Sequence, residues 1–244
     1  MCQTVFITVF FFVGNFVRNR MTILYEDNHI IIVNKTNNEI VQVDKTGDTS
    51  LEDSLKAYIK EKYQKPGNVF LGVTHRLDRP VSGIVVFAKT SKALTRLNEM
   101  FRNGEVQKTY WAIVKDRPKQ EAATLEQYIV RNEKQNKSYV YNQPKPNAKK
   151  AILSYKLLAV SDRYALLEVD LKTGRHHQIR CQLAGMGCPI KGDLKYGFPR
   201  SNPNGGISLH ARRIQFVHPV SKNLIDVVAP CPKDESLWSV FTQD

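Results

Sequence analysis

VFLGVTHRLDRPVSGIVVFA, residues 69–88, is the stretch on which the reading of this chain turns. Its two ends, Val69–Val73 and Ile84–Ala88, are apolar runs of strand length. Between them lies His75-Arg76-Leu77-Asp78-Arg79-Pro80-Val81-Ser82-Gly83, where Pro80 and Gly83 break regular backbone. A charged loop held between two strands is where a rigid scaffold presents reactive groups. Asp78 stands between Arg76 and Arg79, and neighbouring cations favour the ionised form of a carboxyl. Asp78 is therefore a candidate nucleophile or base rather than a proton donor. A structural ion pair in a turn is the competing reading.

Working outward, Thr22–Tyr25 and Ile30–Val33 read as short strands separated by the turn cluster Glu26-Asp27-Asn28. Thr49-Ser50-Leu51-Glu52 carries a capping-box signal for a helix with Leu51, Leu55 and Ile59 on one face, stopped by Lys65-Pro66-Gly67. Ser91 is the expected cap of a second helix, with Leu94, Leu97 and Phe101 inward and Gly104 past its end. Strands are predicted at Thr109–Lys115, Ile152–Val160, Tyr164–Leu171, Ser208–Val217 and Leu224–Val228, and a short helix at Glu235–Phe241. The Lys-rich stretch from Arg131 to Lys150 is read as a hairpin or exposed loop rather than a domain linker. Strands arriving in hairpins with isolated helices between them give an α+β chain with a mostly antiparallel mixed sheet flanked by helices.

Composition narrows the partner. Lys and Arg outnumber Asp and Glu by 36 to 23, a formal charge of +13. Such an excess favours a polyanion, of which nucleic acid is the commonest. The four cysteines, Cys2, Cys181, Cys188 and Cys231, form no Cys-x-x-Cys pair and have no His cluster at ligand spacing, so neither structural zinc nor a disulfide framework is expected. A cytoplasmic setting is the default, as is a monomer. In residues 1–20 the apolar run Val5–Val17 is interrupted by Thr8, Gly14 and Asn15, and its cations Arg18 and Arg20 follow it. It is short for a bilayer span and inverted for a secretory signal. The preferred reading is an upstream extension, with the domain running from Met21 to residue 244; a weak membrane anchor is the alternative.

Two further stretches carry chemistry. In Lys108-Thr109-Tyr110-Trp111-Ala112, strand alternation puts Lys108, Tyr110 and Ala112 on one face. Tyr110 is then either a platform for a substrate base or a core aromatic. In Thr173-Gly174-Arg175-His176-His177-Gln178-Ile179-Arg180, a helix starting near Gly174 would set His176 and Arg180 on one face, away from Ile179, Leu183 and Met186. Basic groups at a helix start suit an anion. Adjacent helical histidines diverge by about 100° and lack an acidic partner here, so metal binding is discounted. No phosphate-binding glycine loop, dinucleotide fingerprint or Gly-x-Ser-x-Gly elbow is present.

Together these stretches resemble the RluA-type family of pseudouridine synthases. The family's His-Arg-Leu-Asp motif is His75–Asp78, followed by Val81-Ser82-Gly83. Its Lys-x-Tyr-x-Ala motif is Lys108, Tyr110 and Ala112, and its Gly-Arg-x-His-Gln-Ile-Arg motif is Gly174–Arg180. Gly187, Pro189, Ile190, Gly192, Asp193 and Tyr196 fit a further motif, and Asn34-Lys35 fits the opening. The resemblance implies a pseudouridine synthase catalytic domain that isomerises uridine in structured RNA, ribosomal or transfer, with no cofactor and no metal. It implies that Asp78 is the catalytic aspartate, that Tyr110 stacks on the uracil and assists proton movement, that Arg180 pairs with Asp78, and that Arg76 lies at the vacated base position. His75, Arg79, Lys108, Arg175 and His176 are candidate RNA contacts beside Arg76. Val81 stands where the family usually has Thr, and Thr36-Asn37-Asn38-Glu39 where it often has Pro-Ala-Gly. With no S4-type module in the sequence, RNA contact is expected from the catalytic domain itself or from the loop around Lys145, Lys149 and Lys150. A non-catalytic RNA-binding protein using the same pocket is the alternative.

Overall fold

The computed structural model describes residues 21–44 and 47–242. The expected upstream extension, residues 1–20, lies outside the described residues. Among the described residues the strands, numbered in chain order, are β1 Thr22–Glu26, β2 Ile30–Lys35, β3 Gly72–Val73, β4 Ser82–Ala88, β5 Gln107–Lys115, β6 Ala122–Asn132, β7 Lys137–Tyr141, β8 Lys149–Val160, β9 Tyr164–Leu171, β10 Leu209–Val217 and β11 Leu224–Val228. They form one 11-stranded sheet whose main path runs β1-β2-β4-β10-β5-β9-β8-β6-β7, with β11 on β10 and β3 on β4. Every neighbouring pair is antiparallel except β4 and β10. The α+β class with a mostly antiparallel mixed sheet is the fold found.

The parallel junction sits at the middle of the sheet and governs the site. His210 pairs with Ser82 and Ala211 with Gly83. A Cβ on Gly83 would lie 2.5 Å from the backbone N and O of Ala211, and its φ of +114° is one that L side chains avoid. Only glycine lets the two backbones meet there. Beside it, Ser82 Oγ and His210 Nδ1 are 2.9 Å apart, and His210 Nε2 lies 3.3 Å from the carbonyl of Ala229. Since the carbonyl must accept, His210 is protonated at Nε2 and its Nδ1 accepts from the serine. β4 is buried along its whole length. This explains its unbroken apolar run: it is covered on both faces, as central strands are.

Helix α1, Leu51–Lys62, buries Leu51, Leu55 and Ile59 as its spacing predicts. Its capping box is set one residue later than expected, between Ser50 and Asp53. The N–H groups of Leu51 and Glu52 instead donate to the carbonyls of Ile40 and Val41, which fixes the helix start at Leu51. Helix α2, Ser91–Asn103, is capped by Thr90 rather than Ser91 and ends on Gly104 at φ +75°. The predicted strand at Val69–Val73 shrinks to Gly72–Val73, and Phe70 is exposed. β6 has no predicted counterpart. The Arg131–Lys150 stretch contains the turn of the β6–β7 hairpin and the loop into β8, all within the same sheet, so the linker reading is excluded. The closing helix is Ser236–Thr242. No helix among the described residues is long and apolar enough to cross a membrane.

Helix α3, Gln178–Gly185, starts four residues after the expected Gly174. Gln178 Oε1 accepts from Thr173 Oγ1 and from the N–H of Arg175, at 2.8 and 3.0 Å. These bonds hold Thr173–His177 as a loop, and His177 takes a left-handed φ of +53°. His176 therefore lies outside the helix. Arg180 is buried in the first turn and does not share a solvent face with it.

Candidate active site

The chain from Asp78 to Val81 is a turn closed by the N–H of Val81 on the carbonyl of Asp78, 3.0 Å. The other carbonyls are also satisfied. Asn38 N–H donates to Arg79 O at 3.0 Å, and Ile207 N–H donates to Pro80 O at 2.9 Å. Lys35 lies beneath the turn, 1% exposed, and its ammonium donates to the carbonyls of Arg79, Val81 and Thr36 at 3.1, 2.6 and 2.9 Å. Burial pushes its pKa down to about 8, against the pull of Glu39 and Asp78. A loop whose backbone acceptors are all engaged is rigid for the reason a strand is. Lys35 is thus a positioning residue. It was visible in the opening motif, but no local pattern announces that it points inward.

Asp78 tops this turn with its side chain 31% exposed. Arg180 Nη1 donates to its Oδ2 at 2.9 Å. The same guanidinium gives Nε and Nη2 to the two oxygens of Asp193, at 2.7 and 2.9 Å. Arg180 is therefore clamped bidentately by a buried carboxylate and offers its remaining edge to Asp78. A planar fork can do this, whereas an ammonium cannot. Asp193, 1% exposed, sits just before a one-turn 3-10 helix at Leu194–Tyr196. Its motif was legible in the sequence, but its grip on Arg180 was not. The ring of Tyr196 lies 5.1 Å from the guanidinium carbon.

A cavity of about 650 Å³ opens over Asp78. It is lined by Asp78, Tyr110 and Arg180, and also by His75, Arg76, Lys108, Arg175 and His176. Tyr110 is buried on β5, and burial together with the charge of Asp78 raises the pKa of its phenol, keeping it protonated at neutral pH. Lys108, two residues earlier on the same face, lies 5.8 Å from the ring centroid of Phe101, and burial lowers its pKa. Arg76 is exposed at the rim. Arg175 Nε donates to the carbonyl of Lys150 at 2.9 Å. His176 Nδ1 and Nε2 lie 2.9 and 3.1 Å from Ser138 Oγ and Asn136 Oδ1. Val81 packs against the cavity floor, 2% exposed.

Of the other two candidate RNA contacts, one lies outside the cavity and the other is held by the sheet. Arg79 points out of the cavity, to Asp48 at 2.6 Å. His75 touches the cavity but is committed to the sheet: its Nε2 accepts from the N–H of Val86 at 3.1 Å, its ring packs on Phe101, and burial drives its pKa down to about 3. In the Lys-rich loop, Lys145 lies over the ring of Tyr141 and Lys150 pairs with Glu126. Among the described residues no group of three His, Cys, Asp or Glu side chains is placed to hold a metal, and Cys181 and Cys188 are free thiols.

The histidines set an acid limit. His75, His176, His177, His210 and His218 all have lowered pKa values, with burial the largest cause. The unfolded chain, with histidines near 6.5, then binds more protons than the folded one as pH falls below 6.5. Stability is therefore fully present above 6.5 and lost downward, through the folded values of about 3 to 4. Between pH 7 and 5, before most carboxylates titrate, up to about 2 kcal/mol is expected for each fully buried ring. Urea midpoints at the two pH values measure it; an unchanged midpoint would contradict these buried neutral rings.

Comparison with known proteins gives the family. Residues 29–185 match the profile of the RNA pseudouridylate synthase family. The chain is 34% identical over 217 residues to YhcT of Bacillus subtilis, an uncharacterised RNA pseudouridine synthase, covering 88% of this chain and 70% of that one. It is 34% identical over 214 residues to ribosomal large subunit pseudouridine synthase C of Vibrio cholerae, covering 85% and 65%. The chain thus spans about two thirds of the length of these relatives. Among solved structures, human RNA pseudouridylate synthase domain containing 4 superposes with a TM-score of 0.76 at 25% identity, covering 91% of this chain and 92% of that one. The RluA-type resemblance seen in the motifs holds, and the chain belongs to the RNA pseudouridylate synthases, isomerases that act on RNA.

Proposed function

We propose that this protein converts uridine to pseudouridine in structured ribosomal or transfer RNA in the cytoplasm, with residues 21–244 as its catalytic unit, working as a monomer, and with Asp78 as the catalytic carboxylate. The observation that carries this reading is the pairing of Asp78 with Arg180 at 2.9 Å in a cavity that Tyr110 also lines. The reaction breaks N1–C1′, turns the uracil and rejoins it through C5, whose proton is lost while N1 regains one. A uridine within a helix is out of reach, so the nucleotide leaves its stack, at a few kcal/mol. Stacking on Tyr110 offsets part of this. Asp78, held in place by Arg180, then attacks C1′, attacks C6 or removes a sugar proton; each route needs an aimed carboxylate. The detached uracil must stay enclosed, which the cavity walls serve. Arg76, Lys108, Arg175 and His176 are the RNA contacts in this reading, since they line the cavity.

Release of tritium from RNA labelled at uridine C5 tests the activity. Tight RNA binding without release would instead favour the non-catalytic alternative. The protonated phenol of Tyr110 fits a relay that takes up the C5 proton as it passes its own to water, rather than a phenolate base. Tyr110→Phe keeps the stacking ring and removes the hydroxyl. Turnover is expected to fall roughly 10²- to 10⁴-fold with RNA affinity within about threefold. A wild-type rate would take the phenol out of the proton path.

A further inference from the structure

One group beside Asp78 has no part in the mechanism above. His177 lies in the cavity wall at the left-handed position before α3, 9% exposed, with its ring stacked on His176 at 3.7 Å between centroids. Its Nε2 is 3.4 Å from Asp78 Oδ2, the oxygen that Arg180 also holds. Its Nδ1 is 2.9 Å from the hydroxyl of Tyr196. That hydroxyl accepts from the backbone N–H of Ser138 at 2.8 Å. A phenol has one proton. That buried proton needs an acceptor, and His177 Nδ1 at 2.9 Å supplies one; with Nδ1 accepting, the neutral ring carries its hydrogen on Nε2. Burial drives the pKa of His177 down to about 3, against the pull of Asp78, so the ring stays neutral.

Resting on the catalytic reading of Asp78, the geometry points to His177 as a positioning residue: a neutral imidazole, fixed as its Nε2–H tautomer by Tyr196, that donates to Asp78 Oδ2 and turns Oδ1 toward the substrate. Two donors on one carboxylate oxygen define the carboxyl plane, which one donor leaves free to rotate. At 3.4 Å the contact is long. Catalytic hydrogen bonds are often long without substrate and shorten in the complex. A neutral donor also leaves the carboxylate its nucleophilicity, which a second full cation would reduce. The chain Ser138–Tyr196–His177 ties Asp78 to the β7 strand, so a residue on the hairpin helps to aim an acid on the opposite wall.

The tautomer is read directly in the wild-type protein, labelled with nitrogen-15 histidine, from long-range proton–nitrogen spectra at pH 7. A neutral His177 with its proton on Nε2 is expected; a proton on Nδ1, or a doubly protonated ring, overturns the assignment. The second measurement is single-turnover tritium release, using bulk RNA labelled with 5-tritiated uridine from cells lacking the gene. His177→Asn suits the left-handed backbone and keeps an amide near Tyr196 but cannot reach Asp78. Its rate constant is expected to fall roughly 10- to 100-fold, the usual effect of losing an outer orienting partner, with RNA dissociation within about twofold. His177→Gln, whose longer amide can present an N–H to Asp78, is expected to recover at least about threefold of that loss, and Tyr196→Phe to slow the step about three- to tenfold. A wild-type rate in His177→Asn, or equal losses in the Asn and Gln variants, overturns the proposal. Asp78→Asn in the same assay separates the two readings: if it turns over, the catalytic assignment of Asp78 fails, and the tautomer measurement still decides the hydrogen-bond chain.

Discussion

Asp78→Asn is expected to lower single-turnover pseudouridine formation by at least about 10⁴-fold, as removal of a reacting group does, while RNA binds within about threefold of wild type. The substitution is nearly isosteric. The amide oxygen can still accept from Arg180 Nη1, which lies 2.9 Å from Oδ2, so the arginine keeps a partner. The loop beneath is held by Lys35 and by backbone donors that do not involve the side chain, and the cavity keeps its shape. What disappears is the charged oxygen, on which attack at carbon and abstraction of a proton both depend. Tritium release from C5-labelled RNA gives the rate, and filter binding of the same RNA gives the affinity. Retained turnover would remove Asp78 from the chemistry and send the search to another group in the cavity.

Asp193→Asn is expected to destabilise the folded protein by about 3–5 kcal/mol, the range for breaking one partner out of a buried ion pair. Asp193 accepts from Arg180 through both oxygens and is 1% exposed. An asparagine there presents an amide N–H to one of the guanidinium donors, and the cation is left with the partly exposed Asp78 as its counter-charge. Urea unfolding at pH 7 measures the loss. Arg180→Lys in parallel keeps the charge but loses the fork, so the ammonium cannot serve both carboxylates with the same geometry. A change below about 1 kcal/mol in Asp193→Asn would mean that the clamp contributes little, and that Arg180 is held by its packing against Tyr196.

Several local expectations survive because local physics decides them. The spacing of Leu51, Leu55 and Ile59 selects a helix face in any context that buries it. Gly104 ends α2 because its φ of +75° is open to glycine. Where two hydroxyls compete for one cap, as with Thr49 and Ser50 or Thr90 and Ser91, the more buried of the two is the cap. β6 carries a weak strand signal although Ala123, Leu125, Gln127 and Ile129 alternate inward. Its Ala, Glu and Gln residues favour helices, and pairing with β7 and β8 overrides that preference. Arg79 carries the same charge as Arg76 and lies one residue beyond Asp78, yet the turn sends it to Asp48, outside the cavity.

By itself the sequence determined the α+β class, the helix faces, the charged loop at Asp78 and, through its motifs, the family; each rests on periodicity or on short runs of residues within one element. Tertiary structure alone decided that Arg180 grips two acids 13 and 102 positions away, that Lys35 lies under the turn, and that His177 faces Asp78. The reason is geometric. Lys35 reaches the turn where β2 pairs with β4, and α3 reaches it from 102 residues further along the chain; a side chain's direction across such a junction is fixed by packing, which no single segment contains.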